Sequence, residues 1–259
     1  MMSKGVKGAV AAAMMAGALL VGGGAQAAET WLPENFTASL TFTSDYVFRG
    51  ISQTLEDPAG QFTGEWTPGG GPIYVGAFVS NVDFRDFTTN SRLATVEVDL
   101  LAGVRGEWSI LKWDLGAIAY MYPGQKKNQP TLNTNFNYME GALKTSWDIF
   151  GLFTAVANIY VSPQFQTDAG TGVFMEGGID YTAPWDIALS ARVGRQNIEN
   201  NNNFGTPDYF MWSFGVSKEF FGRFVVGAAY YDTDISKGRC FGGLNVCEAR
   251  GVGYVTFKF

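Results

Sequence analysis

The chain has 259 residues, a formal net charge of −6, two cysteines and no histidine. Aromatic residues make up 15%, charged residues only 16%, and glycine contributes 33 positions, against about 25% charged residues in an average soluble domain. Lack of histidine excludes the common Ser-His-Asp and Cys-His catalytic arrangements, the acidic balance argues against a nucleic-acid partner, and no P-loop or H-E-x-x-H zinc motif occurs.

The N-terminus reads as a processing segment. Lys4 and Lys7 precede an uninterrupted small and apolar run from Ala9 to Val21, followed by Ala25-Gln26-Ala27. A charged start, a short apolar stretch and an A-x-A exit are the parts of a secretory signal peptide. The run is too short to cross about 30 Å of hydrocarbon as a helix. The expected division is a signal peptide at 1–27 and an outer-membrane β-barrel at 28–259, with no further domain boundary or linker.

Beyond residue 27 the sequence alternates with period two, which places successive side chains on opposite faces of a strand. In the first such segment Phe36, Ala38, Leu40 and Phe42 oppose Thr37, Ser39, Thr41 and Thr43. The pattern recurs with Ala94, Val96, Val98 and Leu100 against Thr95, Glu97, Asp99 and Leu101, and with Trp113, Leu115, Ala117 and Ala119 against Lys112, Asp114, Gly116 and Ile118. Strands are expected at 36–48, 60–67, 73–82, 93–106, 111–122, 136–147, 151–162, 173–183, 186–196, 209–218, 223–232 and 249–259. Most approach the 9–11 residues that a tilted strand needs to span a bilayer. Connections near 67–72, 107–110, 148–150, 184–185 and 219–222 are tight, whereas those near 50–59, 83–92, 123–135, 163–172, 197–208 and 233–248 are long and polar. That asymmetry belongs to outer-membrane barrels. The expected fold class is therefore all-β: a transmembrane antiparallel up-and-down β-barrel of about 12 strands, both termini periplasmic. A soluble β-sandwich also alternates, but the signal peptide, loop asymmetry and terminal strand favour the barrel.

Cys240 and Cys247 enclose a short loop, Phe241 to Val246, between the last two strands, with Lys237, Gly242, Gly243 and Asn245 around them. In an oxidising compartment such a pair is expected to close as an extracellular disulfide. The C-terminal strand, GVGYVTFKF, places Val255, Phe257 and Phe259 on one face. A terminal phenylalanine preceded by alternating apolar residues resembles the assembly signal read by the barrel-assembly machinery.

The stretch Ser44-Asp45-Tyr46-Val47-Phe48-Arg49-Gly50-Ile51-Ser52-Gln53-Thr54, with SNVDF at 80–84, EVDLLAGVRGE at 97–107 and KWDLGAIAYMYPG at 112–124, resembles the TorF porin family, also known as the Gcw-chp family. The resemblance covers nearly all of the chain beyond the signal. It implies a bacterial outer-membrane barrel with a pore function and brings no catalytic residues.

The expected function is passive diffusion of small solutes or ions, without cofactor, metal site or enzymatic activity. Alternatives are a closed structural or surface-ligand-binding barrel that does not conduct, and an enzyme at the barrel mouth. The candidate pore-lining set is Asp45, Arg49, Glu97, Asp99, Arg105, Lys112, Asp114, Glu140, Lys144, Glu176, Asp180 and Arg192. Such charges either line water and tune ion passage or pair and fill a narrow lumen; twelve strands lie between filled eight-stranded barrels and open ones of 16–18 strands. On the alternation, Asp45, Val47 and Arg49 face the lumen from the outer end of the first strand. Asp45 and Arg49, about 13 Å apart at 3.3 Å per residue, would each pair with a neighbouring strand or the first loop, and Arg49 could alternatively shape an entrance constriction. Arg105, Lys112 and Lys144 would form a basic ring near the periplasmic end, with Glu97 and Asp99 higher. A carboxylate pair such as Glu97 and Asp99 could serve glycoside hydrolysis, but lumen charge is the simpler reading. Glu56 and Asp57 could bind a divalent ion but read better as a solvated loop. The expected partners are outer-membrane lipid, the barrel-assembly machinery and small solutes or ions; the oligomeric state stays open.

Overall fold

A computed structural model describes residues 33–86, 89–126 and 135–259. The expected signal peptide and its cleavage point lie outside these residues, as do positions 127–134 of the expected 123–135 loop.

The alternating segments form strands that close on themselves. In chain order the barrel strands are β1 (Phe36–Thr43), β4 (Ala59–Trp66), β5 (Ile73–Arg85), β6 (Arg92–Trp108), β7 (Leu111–Met121), β8 (Tyr138–Ile149), β9 (Phe153–Ser162), β10 (Gly172–Ala183), β11 (Ile187–Ile198), β12 (Tyr209–Phe220), β13 (Phe224–Thr233) and β14 (Arg250–Lys258). Each pairs antiparallel with its neighbours in sequence, and β1 closes the seam with β14, Ser39 opposite Lys258 and Thr43 opposite Tyr254. The result is a closed twelve-stranded antiparallel barrel with no free edge. β2 (Val47–Phe48) and β3 (Ile51–Ser52) stand apart as a two-stranded hairpin.

The pleat sorts the side chains. Phe42, Leu100, Leu115, Val193 and Phe214 are exposed on the outside, whereas Ser39, Thr41, Ser80, Glu97, Glu140, Gln196 and Ser213 are buried inside. An apolar exterior around a polar interior is the arrangement of a membrane-spanning barrel. Trp108, Phe150, Trp185 and Phe221 lie largely exposed at the short turns, where aromatic rings commonly mark the bilayer interface. Both ends of the described chain lie on this short-turn side, since β1 rises from it and β14 returns to it. β5 and β6 are the tallest pair, with a register shift between Asn81 and Phe84; such a bulge bends and twists a strand.

One expected strand is corrected. The segment 36–48 does not run on as wall: β1 ends at Thr43. There Thr43 Oγ1 donates to the Asp45 carbonyl, and the Asp45 carboxylate accepts hydrogen bonds from Ser52 and Thr54. The side-chain bonds turn residues 44–57 inward, an alternative that Asp, Ser and Thr offer the backbone in place of a ladder. Asp45, Val47 and Arg49 are consequently not wall positions; they belong to an insertion within the barrel.

A hairpin plug and charged lumen as the candidate functional site

The insertion is built around a two-residue turn. Val47 pairs with Ser52 and Phe48 with Ile51, leaving Arg49 and Gly50 at the tip. Both have positive φ, 50° and 84°, as a type I′ hairpin turn requires. Gly50 is needed twice over. A Cβ there would lie 2.6 Å from Thr233 Cγ2 and 3.0 Å from Met211 Cβ, besides its left-handed backbone. An arginine beside it in the left-handed region is uncommon, and its side chain supplies the compensation.

Arg49 reaches the wall on the far side of the lumen. Its Nη1 donates to Glu140 Oε1 and to Gln196 Oε1, both at 2.9 Å, and its Nη2 to Glu140 Oε2 at 2.6 Å. Glu140 is on β8 and Gln196 on β11. The guanidinium also lies against the rings of Phe48, Tyr160 and Phe174, 4.5–5.1 Å from their centroids. Burial opposes the charge, but the Glu140 carboxylate holds Arg49 protonated, with its pKa above the ordinary value. Tyr120 donates to the same carboxylate at 3.1 Å and stacks on Tyr138 with centroids 4.2 Å apart. A bidentate pair of this kind, stacked on aromatic faces, is where arginine and lysine are least interchangeable.

The hairpin has further anchors. Tyr46 donates to Glu97 Oε1 at 2.6 Å; burial, then the Glu97 and Asp99 carboxylates, push its phenol well above the ordinary pKa, so it remains a donor. Asp45 pairs with Arg250 at 3.1 Å. From above, Ser52 N donates to the Val246 carbonyl at 2.9 Å. Val246 is buried within the loop that the Cys240–Cys247 disulfide closes. Both cysteines are fully buried, so this loop packs down on the hairpin and is not merely solvated.

Below the hairpin the charges are paired. Arg105 bonds Glu65 and covers the ring of Tyr74 at 4.3 Å; Tyr74 donates to Asp114 at 2.8 Å; and Lys144 lies 3.7 Å from the other Asp114 oxygen. Tyr74 fits because Gly103 faces it, where a Cβ would collide with its hydroxyl. The expected basic ring is therefore replaced by an alternating cluster, since β4 and β7 supply Glu65 and Asp114 at its height. Lys112 departs further from that expectation, standing exposed at the short-turn rim, opposite Glu107. On the β9–β11 wall, Arg192 pairs with Asp180 at 2.6 Å and Glu176 accepts from Asn158 at 3.1 Å. Asp99 Oδ1 is buried without a hydrogen-bond partner. Beside the hairpin the lumen wall thus carries Glu97, Asp99 and Glu140 against Arg49.

At the other end of the seam, Val255 and Phe257 pair with Phe42 and Leu40 of β1, Phe259 N donates to the Ala38 carbonyl, and the Phe257 and Phe259 rings touch, centroids 4.8 Å apart. Glu56 is 3.5 Å from Arg250, and no three potential ligands among the described residues converge as a cation site. Sequence reading missed Tyr46, Gly50, Glu65, Gln196 and Arg250. Only Gly50 left a clear signal, an X-Gly pair between two short apolar runs.

The fold defines the class: a closed, twelve-stranded β-barrel whose lumen carries an inward hairpin. The chain belongs to the family described as a bacterial protein of unknown function (Gcw_chp), whose model matches residues 27–258. No curated protein matches it in sequence. Among solved structures it is similar in fold to a KdgM porin in complex with disordered oligogalacturonate, at 9% identity and a TM-score of 0.57 over 86% of this chain and 99% of that one. It is similar to the NanC porin at 9% identity and a TM-score of 0.54, over 86% of this chain and 100% of that one.

Proposed function

We propose that this chain is an integral outer-membrane channel for small polar solutes or ions, its conducting path constricted by the hairpin at 44–57. Both termini would be periplasmic and the long loops extracellular. The resemblance to the TorF porins and the likeness in fold to porins are in keeping with this reading. The observation that carries it is the hairpin's mode of attachment. Its two strands form a ladder only with each other; its tip is fixed in the lumen by side chains, Arg49 to Glu140 and Gln196 and Tyr46 to Glu97, and its base by two backbone bonds, Ser52 N to the Val246 carbonyl and Asp83 N to the Gln53 carbonyl. A constriction held by side chains and two isolated backbone bonds, with Asp83 at the bulge of β5, can be withdrawn without breaking a barrel ladder, which a wall strand cannot. The lining would comprise Arg49, Glu97, Asp99 and Glu140 above, and Arg105, Asp114, Lys144, Glu176, Asp180 and Arg192 below. Transport would be diffusive, with selectivity set by these charges.

The test is planar-bilayer conductance of the purified full-length barrel beside a variant in which residues 46–54 are replaced by a Gly-Ser linker. The expected result is small or intermittent conductance for the native protein and larger, steadier conductance for the variant. Absence of conductance from both, with each folded by heat-modifiable migration on detergent gels, would favour the closed structural barrel.

A further inference from the structure

The hairpin crosses the lumen and leaves a chamber above it. Loops 163–171, 199–208 and 234–249, with Asp86 and Asn90 beside β5 and β6, surround this space. It is a cavity of about 200 Å³, and six phenylalanines line it: Phe48 from the hairpin, Phe84 from β5, and Phe136, Phe165, Phe204 and Phe241 from the loops. Their rings form two chains of contact. Phe165, Phe204 and Phe241 follow one another at 5.1 and 5.5 Å, and Phe84 meets Phe136 at 5.2 Å. Leu55 and Leu244 add to the apolar lining, with Ile51, Leu93 and Val246, and, like most of these rings, are only partly buried.

Charged groups also border the chamber, and each is already engaged. Arg49 is bidentate to Glu140. Arg85 pairs with Asp83 at 2.6 Å. Asp86 accepts from the Thr89 backbone at 2.7 Å. A charged ligand would therefore be desolvated without gaining a free counter-charge, a cost that burial alone does not repay. An uncharged apolar ligand would displace poorly bonded water from ring faces, the favourable case for a preformed apolar pocket. Size narrows the class further. A dry cavity of about 150 Å³ lined by Leu, Ile and Phe takes up benzene, so this chamber suits one or two fused rings.

We propose that the extracellular chamber above the hairpin is a binding site for an uncharged aromatic molecule of one or two rings, with Phe48 in its floor and Phe204 and Phe241 in its wall. The offset and edge contacts already present among the lining rings are the geometry in which such a guest would be held. Because Phe48 adjoins Arg49 in the hairpin turn, the guest would rest on the same segment that fills the lumen. The site does not depend on whether the barrel conducts.

The experiment is photolabelling of the full-length protein in nanodiscs with 3-trifluoromethyl-3-phenyldiazirine, read by peptide mass spectrometry. Labelling of the peptides carrying Phe48, Phe204 and Phe241 should saturate and be competed at least tenfold by naphthalene. Labelling of the outward peptide around Phe214 should rise linearly with probe and resist competition. Leu55→Arg and Leu244→Arg should each reduce chamber labelling at least tenfold while heat-modifiable migration stays native. Chamber labelling that never saturates, that survives both substitutions in folded protein, or that is competed by benzenesulfonate but not by naphthalene would overturn the proposal. Conductance measured on the same samples keeps this outcome separate from that of the channel reading.

Discussion

Arg49 and Glu140 form a bidentate ion pair across the barrel lumen, 2.6 and 2.9 Å in its two hydrogen bonds, although 91 residues separate them in sequence. Both side chains are almost wholly buried. Removing one partner strands the other without water, a loss of about 3–5 kcal/mol for buried pairs in general. Arg49→Ala and Glu140→Ala should each destabilise the hairpin, and the double variant should cost less than the sum of the two. A double-mutant cycle on urea midpoints, joined to single-channel recording, is the check. The single variants should also conduct more often than the native barrel; additive losses would mean that the pair is not coupled.

Gly50→Val should expel the hairpin tip, since its Cβ would collide with Thr233 and Met211 and its backbone needs φ near 84°. The barrel wall should survive. The expected readout is native heat-modifiable migration together with raised proteolytic sensitivity in residues 44–57. An unchanged cleavage pattern would mean that the tip tolerates displacement in place.

The lumen acids beside the hairpin should bias a conducting barrel toward cations. Neutralising Glu97 and Asp99 together, as Glu97→Gln with Asp99→Asn, should shift the reversal potential in a salt gradient toward anions. Val96→Ala with Val98→Ala, on the opposite face of β6, should leave it unchanged. Selectivity indifferent to the acidic pair would place the conducting route elsewhere in the lumen.

Reduction of the Cys240–Cys247 disulfide should loosen the hairpin as well as its own loop, because Val246 within that loop accepts the Ser52 amide. Amide exchange at Ser52 should accelerate at least tenfold in the Cys240→Ser/Cys247→Ser variant, while exchange at mid-wall positions such as Leu115 stays slow. Protection retained at Ser52 would show that the loop holds its shape without the bond.

Phe259 should matter more to assembly than to the stability of the finished barrel. Its amide contact with Ala38 and its ring contact with Phe257 both lie at the rim. The expected result of its deletion is lower recovery in the outer-membrane fraction of cells, with normal folding of the same variant in detergent. Equal recovery of the two proteins in cells would remove the assembly role.

Most of the wall was legible in the sequence. β7 and β9 follow segments where small or apolar side chains alternate with polar ones, and a closed barrel repeats that demand at every strand. The first segment misled because its alternation continues through the break: Thr43, Asp45, Val47 and Arg49 keep one parity whether the chain runs straight or turns inward. What decides is the closure of Ser52 and Thr54 onto Asp45 and the left-handed Arg49-Gly50 turn, neither of which has a period. Partners such as Gln196 and Arg250 were hidden for another reason. Contact across a lumen depends on shear and diameter, which no local pattern encodes, and the balanced cluster of Arg105, Glu65, Asp114 and Lys144 emerges only once four strands are in register.

The hairpin follows the first strand, whereas its partners Glu140 and Gln196 lie 91 and 147 residues downstream. During synthesis and insertion Arg49 must therefore wait, hydrated, until more than half of the wall has been laid down. The seam between β1 and β14 joins residues more distant still, and contacts this distant in sequence are slow to form. Tethered at both ends to neighbouring staves, the hairpin has no need to be threaded; the wall is raised around it. Its seating becomes a record, written inside the molecule, that β8 and β11 have found their places.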